Sequence, residues 1–340
     1  MYIMIDIFNI KPSVISRDLS GKSFLIYGAP KTGKTSNAVK FPKPLIVGFE
    51  KGWNMLPNVK AQAVNKWREA LEIKRALVKQ AEEVERGELP ETMYKTIIID
   101  TVSIAYDKCT KYILDKEGVD YLDETESKRG YKETEREFDN FFQELVKAGY
   151  TIVAIAHADE KTTKDKTGKK YEVIQPKIDK RGLAVLNGLC DVIGYAALEE
   201  DEDGNEQMML TMRGSKYLVA GSRSRYMSEK IPFTYEALLA DMQQAIDKEM
   251  ETNNATVIDT PTEVYKEMEI NMDFEDAVNE IKKIAKAFYD QGKMSDYTKI
   301  TDKHLGKGKK VQDCTESQFD MLLLILDDLR DKVKELKIEL

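Results

Sequence analysis

The sequence predicts an α/β fold in which a mostly parallel β-sheet lies between helices, with a small helical domain after it. Apolar runs rich in Ile and Val recur as far as Leu198, and such runs are typical of strands buried on both faces. Amphipathic helical patterns separate the runs, and this alternation is typical of parallel sheets. The first run leads into a glycine-rich turn and a helix, which is the order of elements in a phosphate-binding loop.

Composition limits the class of protein. The 340-residue chain is 42% hydrophobic and 33% charged, and none of its apolar runs approaches the ~20 residues of a membrane span. The opening MYIMIDIFNI is too short for a signal peptide and lacks a basic start, so we predict a strand there. Three scattered cysteines and two histidines predict neither disulfides nor structural zinc, which favours a cytoplasmic protein. The net charge of −8 argues against general coating of nucleic acid but allows a local basic groove.

The first core elements surround a phosphate-binding loop. An apolar run over 24–27 predicts a strand, a helix is predicted over 34–40, and residues 28–35 match G-x-x-x-x-G-K-[ST]. In this motif the backbone N–H groups and the lysine hold the phosphates, while the hydroxyl of Thr35 binds magnesium. The alternative is a glycine-rich turn that matches by chance. The predicted residues for ATP and Mg²⁺ are Gly28, Ala29, Pro30, Lys31, Thr32, Gly33, Lys34, Thr35 and Ser36.

The remaining core elements follow from hydrophobic period and from glycine and proline. Predicted strands span 45–49, 95–99, 151–156 and 191–198, and predicted helices span 61–86, 102–115, 133–148 and 182–188. Prolines precede the first of these strands, while Gly87 and Gly149 end two of the helices. A turn at 203–205 returns the chain as a strand over 207–213. Residues 217–219 are predicted to add a short strand, and a helix over 233–248 closes the core.

Polar residues end three of the predicted strands. Asp100 is predicted to hold magnesium beside Thr35, with a strand-end capping aspartate as the alternative. Glu50 either orients and deprotonates the attacking water or is a surface acid paired with Lys51. His157 either senses the γ-phosphate or has a structural role. Because parallel strands gather their carboxyl ends at one crevice, these side chains are expected to meet the phosphate-binding loop there, with Lys34 as a further catalytic residue.

A long polar segment over 158–181 follows His157, and its D-K-T-G sequence at 165–168 predicts the tip of a hairpin. Lysines track phosphates and an aromatic ring stacks on bases, so the segment is a candidate site for single-stranded DNA. Five acids within the segment keep a solvated hairpin as the alternative. The candidate DNA-binding residues are Lys161, Lys164, Lys166, Lys169, Lys170, Tyr171, Lys177, Lys180 and Arg181.

The order GAPKTGKT, LIVGFE, TIIIDTVS and TIVAIAH resembles the core of RecA-type ATPases. More specifically, it resembles ATP-binding proteins of tailed bacteriophages that are related to RecA-like single-strand annealing proteins and recombinases, over about Ser13 to Leu239. The resemblance implies that Glu50 is the catalytic glutamate, that Asp100 is the Walker B acid, and that His157 couples nucleotide to DNA where bacterial RecA has glutamine. It also implies DNA-binding loops at 116–132 and 158–181. The first of these loops is acidic here, and the second is longer than in RecA.

The stretch TMRGSKYLVAGSRSRY also resembles a signature of the phage group. Proteins of this kind assemble head to tail, and basic residues of one subunit reach the γ-phosphate bound by its neighbour. The resemblance therefore implies a homo-oligomer, either a filament or a ring. The candidates for this action in trans are Arg213, Lys216, Arg223 and Arg225, with solvated strand-face charges as the alternative.

We predict a core over 1–250, a linker over 251–262 that is rich in Thr and Asn, and a helical domain over 263–340. That domain has predicted helices over 273–289 and 317–336, with a lysine-rich loop over 304–310. It resembles, weakly, the helical tails of phage recombination proteins. This implies a contact with DNA or with a single-strand-binding protein, and a plain exposed basic turn is the alternative.

These observations predict an ATPase that forms ADP and phosphate, is stimulated by single-stranded DNA, and promotes annealing or strand exchange. A P-loop kinase fits less well, because the lysine-rich hairpin has few of the arginines expected in a kinase lid. A helicase, a helicase loader and a nucleotide-switched scaffold of phage DNA replication remain as alternatives.

Overall fold

The computed structural model describes residues 12–200, 204–260 and 272–339. These residues form two compact units, a core unit within 12–260 and a C-terminal unit within 272–339. The strand predicted for the first ten residues lies outside the described residues. Part of the turn predicted at 203–205 also lies outside them, because residues 201–203 are not described.

The core unit alternates strands with helices. Its strands are β1 (Val14–Ser16), β2 (Ser23–Gly28), β3 (Pro44–Gly48), β4 (Ala61–Ala63), β5 (Thr96–Asp100), β6 (Thr151–Lys164), β7 (Lys170–Pro176), β8 (Val192–Glu200), β9 (Glu206–Thr211), β10 (Gly221–Ser222), β11 (Lys230–Pro232) and β12 (Thr256–Ile258). Its helices are α1 (Lys34–Ala38), α2 (Trp67–Glu85), α3 (Val102–Glu117), α4 (Gly130–Lys147), α5 (Lys180–Leu189) and α6 (Tyr235–Asn253).

The main sheet has the strand order β11-β9-β8-β2-β6-β5-β3-β4. The strands from β8 to β4 are parallel, whereas β9 and β11 extend the sheet in antiparallel pairing. β10 pairs with β8 and β7 pairs with β6, both antiparallel. β1 and β12 form a separate parallel pair. The prediction of a mostly parallel sheet flanked by helices is therefore confirmed.

Both faces of this sheet are covered, which explains the continuous apolar runs in its central strands. In β5, Ile97 and Ile99 pack on the face that carries Trp67 of α2 and the phenylalanines of α4. Ile98 points to the opposite face, where it joins the cluster that contains residues of α1 and α6. The phosphate-binding strand β2 lies between β8 and β6, so its carboxyl end is at the centre of the sheet edge.

Three local predictions differ from the structure. The helix predicted over 61–86 begins at Trp67, because the residues before it form the edge strand β4 next to β3. The strand predicted over 217–219 is a tight turn with one bridge from Leu218 to Ile174, since Ser215 and Leu218 exchange backbone hydrogen bonds. The linker predicted over 251–262 has regular structure as far as Ile258, in the end of α6 and in β12, and residues 261–262 lie outside the described residues.

The C-terminal unit contains α7 (Phe274–Asp290), α8 (Met294–Leu305) and α9 (Phe319–Leu336). The first and last of these match the predicted helices, and α8 was not predicted. Ile281, Ile284, Phe288, Leu326 and Leu329 are among the side chains that form its apolar centre. In the described parts of the chain, none of the helices is long and apolar enough to span a membrane.

Candidate nucleotide site

The phosphate-binding loop joins the carboxyl end of β2 to the first turn of α1. Gly33 has a φ of +79°, a conformation that favours glycine, and Lys34 begins the helix. A Cβ on Gly28 would lie 2.2 Å from the carbonyl oxygen of Ala196 in the neighbouring strand β8. Glycine is therefore required at position 28 by the packing of the sheet, in addition to any approach of a phosphate.

The side chain of Lys34 is held inside the loop. Lys34 is 5% exposed, and its ammonium donates hydrogen bonds to the carbonyl oxygens of Gly28 (3.1 Å) and Ala29 (2.6 Å) and to the hydroxyl of Thr32 (3.2 Å). Burial lowers the pKa of Lys34, while the nearby charges of Asp100 and Glu50 act in the opposite direction. The loop carbonyls thus hold this cation at the site where the motif places phosphate oxygens.

Thr35 and Asp100 are in direct contact, with a hydrogen bond of 2.8 Å from the threonine hydroxyl to Oδ2 of the aspartate. Asp100 is 4% exposed, and burial raises its pKa, with a further upward contribution from the charge of Glu50. A hydroxyl and a carboxylate are the oxygen ligands that Mg²⁺ accepts, and this ion usually keeps several waters. The pair therefore fits the predicted magnesium site. Among the described residues there is no cluster of three or more His, Cys, Asp or Glu side chains that could hold a metal by themselves.

Glu50 and His157 meet beside this pair. The distance from Nε2 of His157 to Oε2 of Glu50 is 3.5 Å, and the hydroxyl of Thr101 donates to the same oxygen at 3.3 Å. The backbone N–H groups of Phe49 and Glu50 both donate to the carbonyl oxygen of Asp100, at 2.7 and 3.1 Å. The structure thus brings together the three polar strand ends named from the sequence. Thr101 was missed, although its place directly after Asp100 could have indicated it.

His157 also connects this site to the β6–β7 hairpin. β6 runs without a break from the sheet, where His157 is paired with Gly28, into the first arm of the hairpin. The carbonyl oxygen of His157 accepts a 2.8 Å hydrogen bond from the N–H of Lys177, which follows the second arm. The Nδ1 atom of His157 is buried and has no hydrogen-bond partner among the described residues. A change in the hydrogen bonding of either ring nitrogen of His157 would therefore occur at the root of the hairpin.

The predicted DNA-binding residues lie at the tip of the hairpin, on its arms and in the segment that leads from it into α5. At the tip, the carboxylate of Asp165 accepts hydrogen bonds from Thr167 and Lys169 and so orders the turn. The lysines around this turn are exposed and form no ion pair within the described residues; they are Lys164, Lys166, Lys169 and Lys170. Lys161 lies on the first arm, while Lys177, Lys180 and Arg181 lie at the root. There the guanidinium of Arg181 is 4.2 Å from the ring centroid of Tyr131.

The hairpin packs against the turn that contains Lys216 and Tyr217. The ammonium of Lys216 lies 4.3 Å from the ring centroid of Tyr171 and 3.8 Å from Asp165. The rings of Tyr171 and Tyr217 meet edge to face with centroids 5.9 Å apart. Tyr217 remains 57% exposed. Sequence reasoning missed this second aromatic, because 46 positions separate the two tyrosines and no local pattern connects them.

The other candidates for action in trans have partners within the chain. The guanidinium of Arg213 donates to the carbonyl oxygen of Met227 at 3.0 Å. Arg223 forms an ion pair with Asp191 at 3.2 Å. Arg225 lies 3.7 Å from a carboxylate oxygen of Glu249 and 4.9 Å from the ring centroid of Tyr226.

In the first predicted DNA-binding loop, at 116–132, basic side chains form ion pairs with neighbouring acids. Lys128 pairs with Asp123 at 3.2 Å, and Arg129 contacts the carboxylates of Glu117, Glu126 and Glu133. Short 3₁₀ turns at Leu122–Glu124 and Glu126–Lys128 occupy this segment. Lys128 and Arg129 are therefore paired with neighbouring acids.

Comparison with known proteins identifies the family of this chain. Residues 20–224 match the family model described as "AAA domain". The SPbeta prophage-derived uncharacterized protein YorG of Bacillus subtilis (strain 168) is 31% identical over 339 residues, which cover 97% of this chain and 99% of that protein. The matched residues include the whole phosphate-binding loop and the polar ends of β3, β5 and β6. The chain therefore belongs to the AAA-domain family of P-loop ATPases.

Proposed function

We propose that this protein is a phage ATPase that holds single-stranded DNA on the β6–β7 hairpin and couples ATP hydrolysis to annealing or strand exchange. The observation that carries the proposal is the continuity of β6. One end of this strand places His157 3.5 Å from Glu50, and the other end is an arm of the lysine-rich hairpin. A change in the hydrogen bonding of His157 would therefore be transmitted to the hairpin lysines along the backbone of a single strand.

Hydrolysis would follow in-line attack of water on the γ-phosphate. Glu50 orients the water and accepts its proton, and its 42% exposed side chain gives water access. Thr101, which follows β5, and His157, which lies in β6, contact the carboxylate of Glu50 and fix its position. Lys34 would donate to phosphate oxygens, and Thr35 and Asp100 would hold magnesium. The metal, when bound, would supply neutralisation of phosphate charge.

The charge distribution of the hairpin supports contact with a phosphate backbone at its tip. Glu160 and Glu172 lie on the same face of the hairpin, because Glu160 is paired with Ile174 and Glu172 with Thr162. The four tip lysines extend beyond these acids. Tyr217 offers an exposed ring beside them on which a base can stack. Such a site binds single strands with little preference for sequence.

The phage context is supported by the similarity to YorG, a prophage-derived protein. We further propose a cytoplasmic homo-oligomer, a filament or a ring, in which Arg213, Lys216, Arg223 or Arg225 leaves its intrachain partner to reach a neighbour's γ-phosphate. The lysine-rich turn after α8 would contact DNA or a single-strand-binding protein. Its Lys307, Lys309 and Lys310 are exposed and form no ion pair within the described residues.

The deciding experiment measures ATP turnover of the purified protein alone, with single-stranded DNA and with duplex DNA of the same sequence. We expect turnover that depends on Mg²⁺ and rises with the single strand more than with the duplex. Equal turnover in all three conditions would remove DNA coupling from the proposal. Nucleotide binding without any turnover would favour a nucleotide-switched scaffold or helicase loader.

A further inference from the structure

The segment Glu50–Trp53, here called the strap, follows β3 and folds back on it. The indole of Trp53 lies directly against the backbone of Gly48, so that a Cβ on Gly48 would be 1.9 Å from Cζ3 and 2.2 Å from Cη2 of the ring. No side chain fits at position 48 while the ring is in this place. The contact between Trp53 and Gly48 therefore closes the strap onto the strand that carries it.

The middle of the strap covers the proposed magnesium ligands. A Cβ on Gly52 would lie 3.1 Å from Oδ2 of Asp100 and 3.8 Å from the hydroxyl oxygen of Thr35. The α-carbon of Gly52 thus packs against the Thr35–Asp100 pair. Because glycine has no side chain, the strap approaches the carboxylate of Asp100 closely without placing a methyl group against it.

The first residue of the strap carries the proposed catalytic carboxylate. Glu50 is tied to the sheet through its backbone N–H, which donates to the carbonyl oxygen of Asp100, and through its contacts with Thr101 and His157. Both ends of the strap are therefore anchored. The anchor at Glu50 is polar, whereas the anchor at Trp53 is apolar.

Trp53 supplies the apolar anchor by joining the hydrophobic cluster on the α1 and α6 face of the sheet. The remaining strap residues are Glu50, an exposed Lys51 and Gly52, and none of these has an apolar side chain. Trp53 is partly buried, and because aromatic side chains cover more apolar area than other side chains, its removal leaves this end of the strap without its main apolar contact.

We infer that Trp53 is a positioning residue, which holds the strap so that Glu50 and Gly52 keep their places against the Thr35–Asp100 pair. This inference rests on the proposed hydrolysis for the role of Glu50. Trp53 lies against Gly48 and the apolar cluster, and it acts on the reacting groups through the strap. Misplacement of a reacting group by about 1 Å can cost on the order of 10²-fold in rate.

The test uses both sides of the contact. We expect W53A to lower kcat by at least about tenfold while the KM for ATP changes less than about threefold, because the phosphate-binding loop is untouched. W53F, which keeps a ring against Gly48, should recover most of the rate. W53L keeps a smaller apolar anchor, gives an intermediate loss, and replaces W53A in the series if that variant does not fold.

The partner substitution makes the test specific. G48A inserts a methyl into the space of the indole and should resemble W53A. In the double variant the ring is absent, so G48A should add little to the loss caused by W53A. G188A is the matched control, since a Cβ at Gly188 has no heavy atom within 4 Å and should leave kcat unchanged. Additive losses for G48A and W53A would contradict the proposed contact.

A binding measurement tests the strap independently of turnover. The Mg²⁺ concentration needed for half-maximal binding of a fluorescent ATP analogue should rise severalfold in W53A, while binding without Mg²⁺ stays the same. If the wild-type protein does not hydrolyse ATP, the proposed catalysis fails, and this binding measurement alone decides whether Trp53 positions the strap. A folded W53A with wild-type kcat would overturn the inference. If the wild-type protein has no turnover, a folded W53A with the wild-type Mg²⁺ requirement would overturn it.

Discussion

The hydroxyl of Tyr27 donates a 2.8 Å hydrogen bond to the carbonyl oxygen of Val219 and lies 3.3 Å from the carbonyl oxygen of Ile174. Tyr27 is fully buried in β2, one residue before the phosphate-binding loop. Ile174 belongs to the second arm of the hairpin, and its N–H donates to the carbonyl oxygen of Tyr217. One phenol therefore joins the nucleotide-binding strand to the hairpin and to the turn packed on it.

Replacement of Tyr27 by Phe should loosen the hairpin. The ring keeps its packing on Tyr195, at a centroid distance of 5.1 Å, but Val219 loses its donor. We expect the free energy of unfolding to fall by about 1–3 kcal/mol. Amide hydrogen exchange over Lys170–Pro176 should become faster.

Tyr150→Phe is the matched control for Tyr27→Phe. The hydroxyl of Tyr150 donates a buried 2.8 Å hydrogen bond to the carbonyl oxygen of Leu77 in α2, and Tyr150 precedes the end of β6 that is opposite the hairpin. This variant should lose similar stability without faster exchange in the hairpin. Equal exchange of the hairpin amides in both variants would show that Tyr27 has no special link to it.

Glu50→Gln should separate binding from hydrolysis. The amide keeps the shape of the side chain and an oxygen for Thr101, but it cannot accept the proton of the attacking water. Turnover should fall by about 10²–10⁴-fold, while the affinity for a fluorescent ATP analogue stays near the wild-type value. Glu160→Gln, an exposed acid on the hairpin, is the control and should retain turnover. A Glu50→Gln enzyme with wild-type turnover would exclude Glu50 as the base.

The parts of the site that could be predicted depend on local patterns. Gly28 to Thr35 forms a motif within one strand-to-helix turn, so spacing alone indicates a phosphate site. The meeting of Glu50 and His157 was predictable because parallel strands end at the same sheet edge. These inferences need only the order of elements and the direction of the strands.

The parts that were missed depend on contacts between distant or irregular segments. The packing of Trp53 on Gly48 requires a reversal of the chain that has no hydrophobic period. Lys216 reaches Tyr171 across 45 positions, and both strands of the β1–β12 pair have only three residues. Such contacts arise from tertiary packing, which overrides weak local preferences.

The pH dependence of stability should report the burial of Asp100. Burial raises its pKa in the folded protein, so the folded state binds more protons than the unfolded state at pH values above the ordinary aspartate pKa of 3.8. The contribution of Asp100 to the free energy of unfolding therefore falls as pH rises through this window. Asp100→Asn removes the titration and keeps an oxygen for Thr35.

Chemical denaturation of both proteins without nucleotide or Mg²⁺, from the ordinary aspartate pKa of 3.8 up to neutral pH, checks this expectation. The Asn variant should become more stable relative to the wild type as pH rises. It should also lose the effect of Mg²⁺ on nucleotide binding, because the ionised carboxylate is one of the proposed ligands. A stability difference that is constant or shrinks with rising pH would contradict the raised pKa.

The hairpin tip gives the sharpest prediction about DNA. Each lysine that neutralises a phosphate of a single strand contributes about 0.7 to the slope of log K against log salt concentration. Replacement of the four tip lysines (Lys164, Lys166, Lys169 and Lys170) by Ala should therefore lower that slope by up to about 3 and weaken binding to all sequences alike. The control replaces three exposed lysines of α7, Lys282, Lys283 and Lys286, and should leave the slope unchanged. Fluorescence anisotropy with a labelled single strand at several salt concentrations measures both. An unchanged slope in the tip variant would place the DNA elsewhere on the protein, since the hairpin would then carry no bound phosphate.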